Sequence, residues 1–83
     1  MKIANNISWK IIQEKVVAVD INTGVYFTMN LSASKIWTAI DAGKESDEIL
    51  SILEDAYPDI DRAKLISDIK NQIEYWKQEQ LIV

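Results

Sequence analysis

The sequence predicts an α+β domain in which a small antiparallel sheet comes first and a set of helices follows. Three observations carry this. Apolar residues recur with a period near two through residues 7–29 and near 3.6 beyond residue 32. The only glycines, Gly24 and Gly43, fall where segments should end, and the only proline, Pro58, divides the helical half. At 83 residues a single domain over 1–83 is expected, close to the smallest size that a hydrophobic core stabilises without staples. With 48% hydrophobic residues the chain reads as globular, and without cysteine it can build neither a disulfide framework nor a thiolate metal site.

The first strand is read in Ile7-Ser8-Trp9-Lys10-Ile11, which alternates apolar and polar. Beyond Gln13-Glu14, the β-branched run Lys15-Val16-Val17-Ala18-Val19-Asp20 is close enough to form a hairpin with it. Asn22-Thr23-Gly24 supplies turn chemistry, with Gly24 free to take positive φ, and a third strand over 25–29 completes a meander.

The first helix is expected to be capped by Ser32, with Leu31 and Ile36 at the spacing of a hydrophobic staple, and to stop at Gly43. Ala33, Ile36, Trp37 and Ile40 form its buried stripe. A second helix over 46–56, with Ser46 read as its cap, buries Ile49, Leu50, Leu53 and Ala56 and carries Asp47 and Glu48 where the dipole favours acids. Pro58 prevents its continuation. Asp61 caps a long third helix reaching about residue 79, with Ile60 and Leu65 at staple spacing, and Leu81-Ile82-Val83 folds back on the core. Three strands then three helices, the last two joined by a short turn, is the element order of a winged helix-turn-helix whose wing precedes the helices.

Absences narrow the function. No histidine and no cysteine leaves the commonest general base, the thiol nucleophile and the usual transition-metal ligands missing, and two glycines cannot build a phosphate-cradling loop. The acid pairs Glu54-Asp55 and Asp59-Asp61 read as solvated or capping charges. We therefore expect no catalytic residue, no metal and no cofactor. The N-terminus lacks the apolar core of a signal peptide and no apolar run approaches a membrane span, so a cytoplasmic protein with no membrane contact is expected.

The alternative reading, a winged-helix DNA-binding or transcription-regulator module, meets an electrostatic objection. Residues 45–83 carry four Lys/Arg against ten acids, and Arg62, Lys64, Lys70 and Lys77 are matched by Asp61, Asp68, Glu74 and Glu79 on the third helix itself. A neutral recognition helix behind an acidic one lacks the attraction to phosphate on which such proteins rely, and no nucleic-acid partner is expected.

What remains is a surplus of apolar surface on the third strand. Val25, Phe27 and Met29 point to one side, Tyr26 and Thr28 to the other, so both faces are partly apolar. One set can serve the core. The other, beside a free strand edge, suits an extended peptide that adds as a strand; left unpaired, the same edge allows weak self-association.

The segments "VDINTGVYFTMNLSASKIW", "DAGKESDEILSILEDAYPDID" and "LISDIKNQIEYWKQEQLIV" resemble the PqqD-like family. The resemblance runs through the Tyr26-Phe27 pair, Asn30, Trp37, Gly43, Glu48-Ile49, Tyr57, Asp68-Ile69 and Leu81. Thr28-Met29 departs from the Gly-Leu usual in the family, and Gln80 from a Gly. The resemblance implies a single peptide-recognition domain that binds the leader segment of a ribosomally made precursor peptide and delivers it to a modifying enzyme or leader peptidase. It implies a lasso-peptide pathway first, since nothing is fused to the unit, and a radical-enzyme pathway second. Carried onto this sequence, the leader would lie along Val25, Tyr26, Phe27, Thr28 and Met29, against a third-helix wall of Leu65, Ile66, Ile69 and Ile73 with Asp68 and Gln72 at its rim.

Overall fold

The structure, a computed structural model describing residues 1–83, has the element order anticipated. Strands β1 (Ile7–Ile12), β2 (Lys15–Asp20) and β3 (Tyr26–Thr28) form an antiparallel sheet in the order β1-β2-β3, and helices α1 (Leu31–Asp41), α2 (Ser46–Ala56) and α3 (Arg62–Gln78) follow. The register places Trp9, Ala18 and Phe27 side by side across the sheet. Alternation then turns Ile7, Val16 and Met29 to the same side, where they are buried, and leaves Ser8, Lys10, Tyr26 and Thr28 on an exposed outer face.

The β1–β2 connection is only Gln13-Glu14, both left-handed at φ 52° and 70°. A two-residue hairpin of this hand matches strand twist, at a steric cost that Asn-Gly would avoid. β3 is shorter than the five residues expected from the apolar run. Ladder bonds still reach one residue beyond each end, from Asp20 N–H to Val25 O (2.9 Å) and from Met29 N–H to Val16 O (3.0 Å).

Helix starts correct two sequence readings. α1 is capped by Asn30, whose Oδ1 accepts from Ala33 N–H at 2.9 Å and from Ser32 Oγ at 3.1 Å; Ser32 lies inside the first turn and Leu31, at the first helical position, is exposed rather than stapled. The amide oxygen of Asn30 satisfies an orphan amide nearer the start, that of Ala33, and also accepts the serine's proton, so the helix begins earlier. At α2 the cap is Glu45, whose N–H donates to Glu48 Oε1 at 3.1 Å, and Ser46 is the first helical residue. Asp61 caps α3 as expected, accepting from Ala63 N–H.

Helix ends are closed by paired bonds over a left-handed residue. After α1, Gly43 (φ 80°) donates to Ile40 O and Lys44 to Ala39 O, both at 3.0 Å. After α3, Gln80 takes the glycine position at φ 62°, with Gln80 N–H on Lys77 O (3.1 Å) and Leu81 N–H on Trp76 O (2.8 Å). Leu81 and Ile82 then pack into the core, Ile82 bridging Ile3 so that the two termini pair.

Three tryptophans from three elements hold the layers together. Trp37 of α1 meets Trp9 of β1 and Trp76 of α3 edge to face, with centroids 6.2 and 5.1 Å away. Such pairs add about 0.5–1.5 kcal/mol each beyond area burial. Trp37 Nε1 is buried with no hydrogen-bonding partner, a cost that this packing outweighs. No helix is long and apolar enough to cross a membrane.

Because Gln80 pays a steric penalty that glycine lacks, Gln80→Gly should stabilise the domain by about 1 kcal/mol. Urea unfolding monitored by far-ultraviolet circular dichroism reads this as a raised midpoint at unchanged slope; a lowered midpoint contradicts the strain.

Candidate functional site

In an antiparallel ladder, successive residues turn their backbone groups to opposite sides. The bonds from Val25 and Met29 to β2 fix that phase: Val25, Phe27 and Met29 face β2, so Tyr26 and Thr28 present their N–H and C=O groups at the outer edge. β2 is the only element packed against β3, which leaves that edge unpaired.

Across from the edge stands α3, and a cleft of about 1090 Å³ separates them. One wall is Tyr26, Phe27, Thr28 and Met29; the start of α1 adds Leu31, Ala33 and Ile36. The facing wall is Leu65, Asp68, Gln72 and Tyr75, with Asn71 beside them; Leu53, Tyr57, Ile60 and Trp76 lie between the walls, and Lys15, Asn30 and Ser32 complete the lining. Tyr26 is 71% exposed, Tyr75 47% and Leu31 42%, an unusual concentration of large side chains left in water around one opening.

Of the sequence-designated residues, the cleft gathers Tyr26, Phe27, Thr28, Met29, Leu65, Asp68 and Gln72. Val25 lies just outside it, its carbonyl bonded to Asp20. Ile66, Ile69 and Ile73 are not in this cleft. They line a second hollow of about 570 Å³ with Met1, Leu50 and Lys70, where Ile69 is core and Ile66 is 47% exposed. The reason is helical geometry: residues 65, 68, 72 and 75 recur on one face, and 66, 69 and 73 lie about 100° further round. Tyr75, Asn71 and Leu31 were missed. The first two carry the spacing signal once Leu65, Asp68 and Gln72 are recognised as one line.

The cleft is lined by two charged side chains, Lys15 and Asp68. Asp68 is held by Lys64 Nζ at 3.1 and 3.3 Å, both side chains about half exposed, an ion pair worth a few tenths of a kcal/mol. No three acids converge into a metal-binding group. The turn leading into β3 is shaped by Asp20, whose carboxyl is held below its ordinary range by the Asn6 side chain first and by the Asn22 N–H (2.9 Å) next.

Beneath the cleft, Ser34 replaces a rung of the sheet. Its hydroxyl accepts from Val16 N–H at 2.8 Å and donates to Met29 O at 3.4 Å, standing between two groups that a regular ladder would bond directly. Ser34 is the one buried polar residue of the domain.

The family described as coenzyme PQQ synthesis protein D (PqqD) matches residues 15–82. Two solved structures superpose over 99% of this chain. TbiB1 in complex with the TbiA(beta) leader peptide is 27% identical, with 94% of its chain covered and a TM-score of 0.91. A lasso peptide synthetase B1 complexed with the leader peptide is 20% identical, with 95% covered and a TM-score of 0.89, and shares the fold. No curated protein matches the sequence.

Replacing Ser34 by alanine strands the buried Val16 N–H, so Ser34→Ala should cost about 1–3 kcal/mol. Loss of that size in urea unfolding, together with faster amide exchange at Val16, is the expected result; a neutral substitution contradicts the bridge.

Proposed function

The chain belongs to the PqqD family, and from that premise we propose that it acts as a single recognition domain, binding the leader segment of a ribosomally made precursor peptide in the cleft between β3 and α3. The observation that carries this reading is the unpaired backbone of Tyr26 and Thr28 facing an apolar-walled cleft. A strand added there gains hydrogen bonds that tolerate many sequences, while alternate side chains entering the cleft supply selectivity. TbiB1, alignable with this chain nearly end to end, is a leader-peptide binder, which supports the same role here.

The leader would run beside Tyr26, Phe27, Thr28 and Met29. On α3 its contacts would be Leu65, Asp68, Gln72 and Tyr75; Val25 is left at the rim, and Ile66, Ile69 and Ile73 are assigned to core and far face. The role is binding rather than catalysis, and the bound precursor is passed to a modifying enzyme or leader peptidase. A lasso-peptide pathway is the one we favour, supported by the chain's coverage of nearly the whole of two B1 chains. A DNA-reading role finds no basic recognition face here, since the face of α3 that lines the cleft is Leu65, Asp68, Gln72 and Tyr75, and the exposed Arg62, Lys64, Lys70 and Lys77 share the helix with Asp68, Glu74 and Glu79.

Calorimetric titration with a leader peptide, the TbiA(beta) leader bound by the superposable TbiB1 being the first probe, tests the site. Thr28→Pro removes one outward N–H without touching the β2 ladder and should weaken binding roughly fivefold to tenfold; Tyr75→Glu, which polarises the wall, should weaken it at least as much. Ile66→Glu and Glu54→Ala, both outside the cleft, should bind like the parent. Each variant is compared at an unchanged thermal transition. If Ile66→Glu loses binding and Tyr75→Glu keeps it, the peptide lies on the other side of α3.

A further inference from the structure

We propose that the opposite margin of the sheet, the free edge of β1, is a self-association surface on which a second copy of this chain adds antiparallel, with Trp9 at the two-fold axis and one six-stranded sheet as the result. This stands independently of peptide binding, because both β3 edges remain at the far ends of the joined sheet.

The phase of β1 is fixed by the bond from Ile21 N–H to Asn6 O (2.9 Å). Even-numbered residues of β1 therefore bond to β2, and Ile7, Trp9 and Ile11 direct their backbone groups outward. β2 is the only strand paired with β1, and α1 meets β1 on its inner face, where Trp37 stands on Trp9, so no strand occupies the outer edge. One outward group is already used, since Ile7 N–H donates to Ala4 O at 3.1 Å. That leaves the N–H groups of Trp9 and Ile11 and the carbonyls of all three.

Two registers satisfy these groups with the same number of bonds. Centred on Trp9, the Trp9 residues of the two copies exchange a pair of bonds, and each Ile11 N–H reaches the Ile7 carbonyl opposite. Centred on Lys10, Trp9 and Ile11 exchange pairs, but the two Lys10 side chains then stand directly opposite on the same face. Like charges in that position destabilise a sheet. The Trp9-centred register instead sets Lys10 against Ser8 and brings each Ile11, 54% exposed in the single chain, against the apolar Ile7 of the other copy.

A second copy suits this edge better than a foreign peptide. The one helix that meets β1, α1, lies under its inner face at Trp9, and no β1 residue lines either cleft, so a peptide would gain backbone bonds and little side-chain selection, whereas the second copy supplies a matching apolar side chain and avoids charge opposition. The interface is small, so the dimer is expected at high concentration only.

Sedimentation velocity on the intact protein, taken up to about 1 mM, should show the mass rising from monomer towards dimer. Ile11→Pro blocks an outward N–H and spares the β2 ladder, so it should remain monomeric over the same range with its fold retained. The absence of native cysteine permits a second test on the parent edge. Under mild oxidation a tagged Ser8→Cys chain mixed with a Lys10→Cys chain should form a mixed covalent dimer on non-reducing gels, since the two positions oppose each other only in the Trp9-centred register, and Ser8→Cys alone should not. A native chain that stays monomeric at about 1 mM, an Ile11→Pro variant that still dimerises, or the absence of the mixed Ser8→Cys with Lys10→Cys dimer would each overturn the proposal.

Discussion

The hydroxyl of Ser34 decides how the sheet meets the helices. By standing between Val16 N–H and Met29 O, it turns what would be an ordinary end of the β2–β3 ladder into a junction with α1. A buried amide must be satisfied, so the position of α1 and the end of β3 cannot vary separately. α1 in turn carries Trp37, which fixes Trp76 of α3 at 5.1 Å between ring centroids. The distance from the β3 edge to the α3 wall is thus set through a chain of one hydrogen-bonded relay and one aromatic pair.

That economy matters in so small a domain. A cleft this open means that the backbones of α3 and β3 do not pack closely on one another, and the stability such packing would have added must come from elsewhere. The core answers by concentrating large side chains on the axis through α1: Trp37, Trp76, Ile40 and Leu53 are almost fully buried. Paired termini hold the far end of α3, with Lys2 and Val83 exchanging backbone bonds at 3.1 and 2.8 Å. The helix that forms one wall is therefore clamped at its C-terminal end and along its middle, while the cleft face stays free.

Much of this was legible in the sequence because it rests on period and on strong punctuation. The switch from strand to helix, the stop at Gly43 and the break at Pro58 follow from local rules that tertiary packing did not override. Other features were hidden for identifiable reasons. Asn30 and Ser32 are both competent caps two residues apart, and only the hydrogen bond between them shows which one serves the helix. Gln13, Glu14 and Gln80 occupy left-handed positions where composition gives no sign. On α3, Leu65, Ile69 and Trp76 form the buried stripe, with a flank on either side of it. Apolar pattern singles out Ile66 and Ile73 on one flank; the rotation of the helix about its axis put the other flank, with Gln72 and Tyr75, towards β3.

Thr28-Met29, read from the sequence as a departure from the Gly-Leu that the family resemblance implies, takes on physical meaning in this geometry. Residue 28 is one of two whose backbone faces the free edge, so its conformational freedom bears directly on the cost of ordering a strand there. A glycine at that position samples many backbone states, whereas a β-branched threonine already prefers the extended one. Its side chain stands on the outer face, away from the core, and does not obstruct the edge. Met29 changes the other term. Its backbone is held on both sides, by Val16 and by Ser34, but its flexible thioether lines the cleft and can repack around side chains of different shape. The pair therefore moves this edge towards a stiffer backbone and a softer pocket. In the proposed binding mode that combination would lower the entropy lost on strand addition while relaxing the demand on any one anchoring side chain.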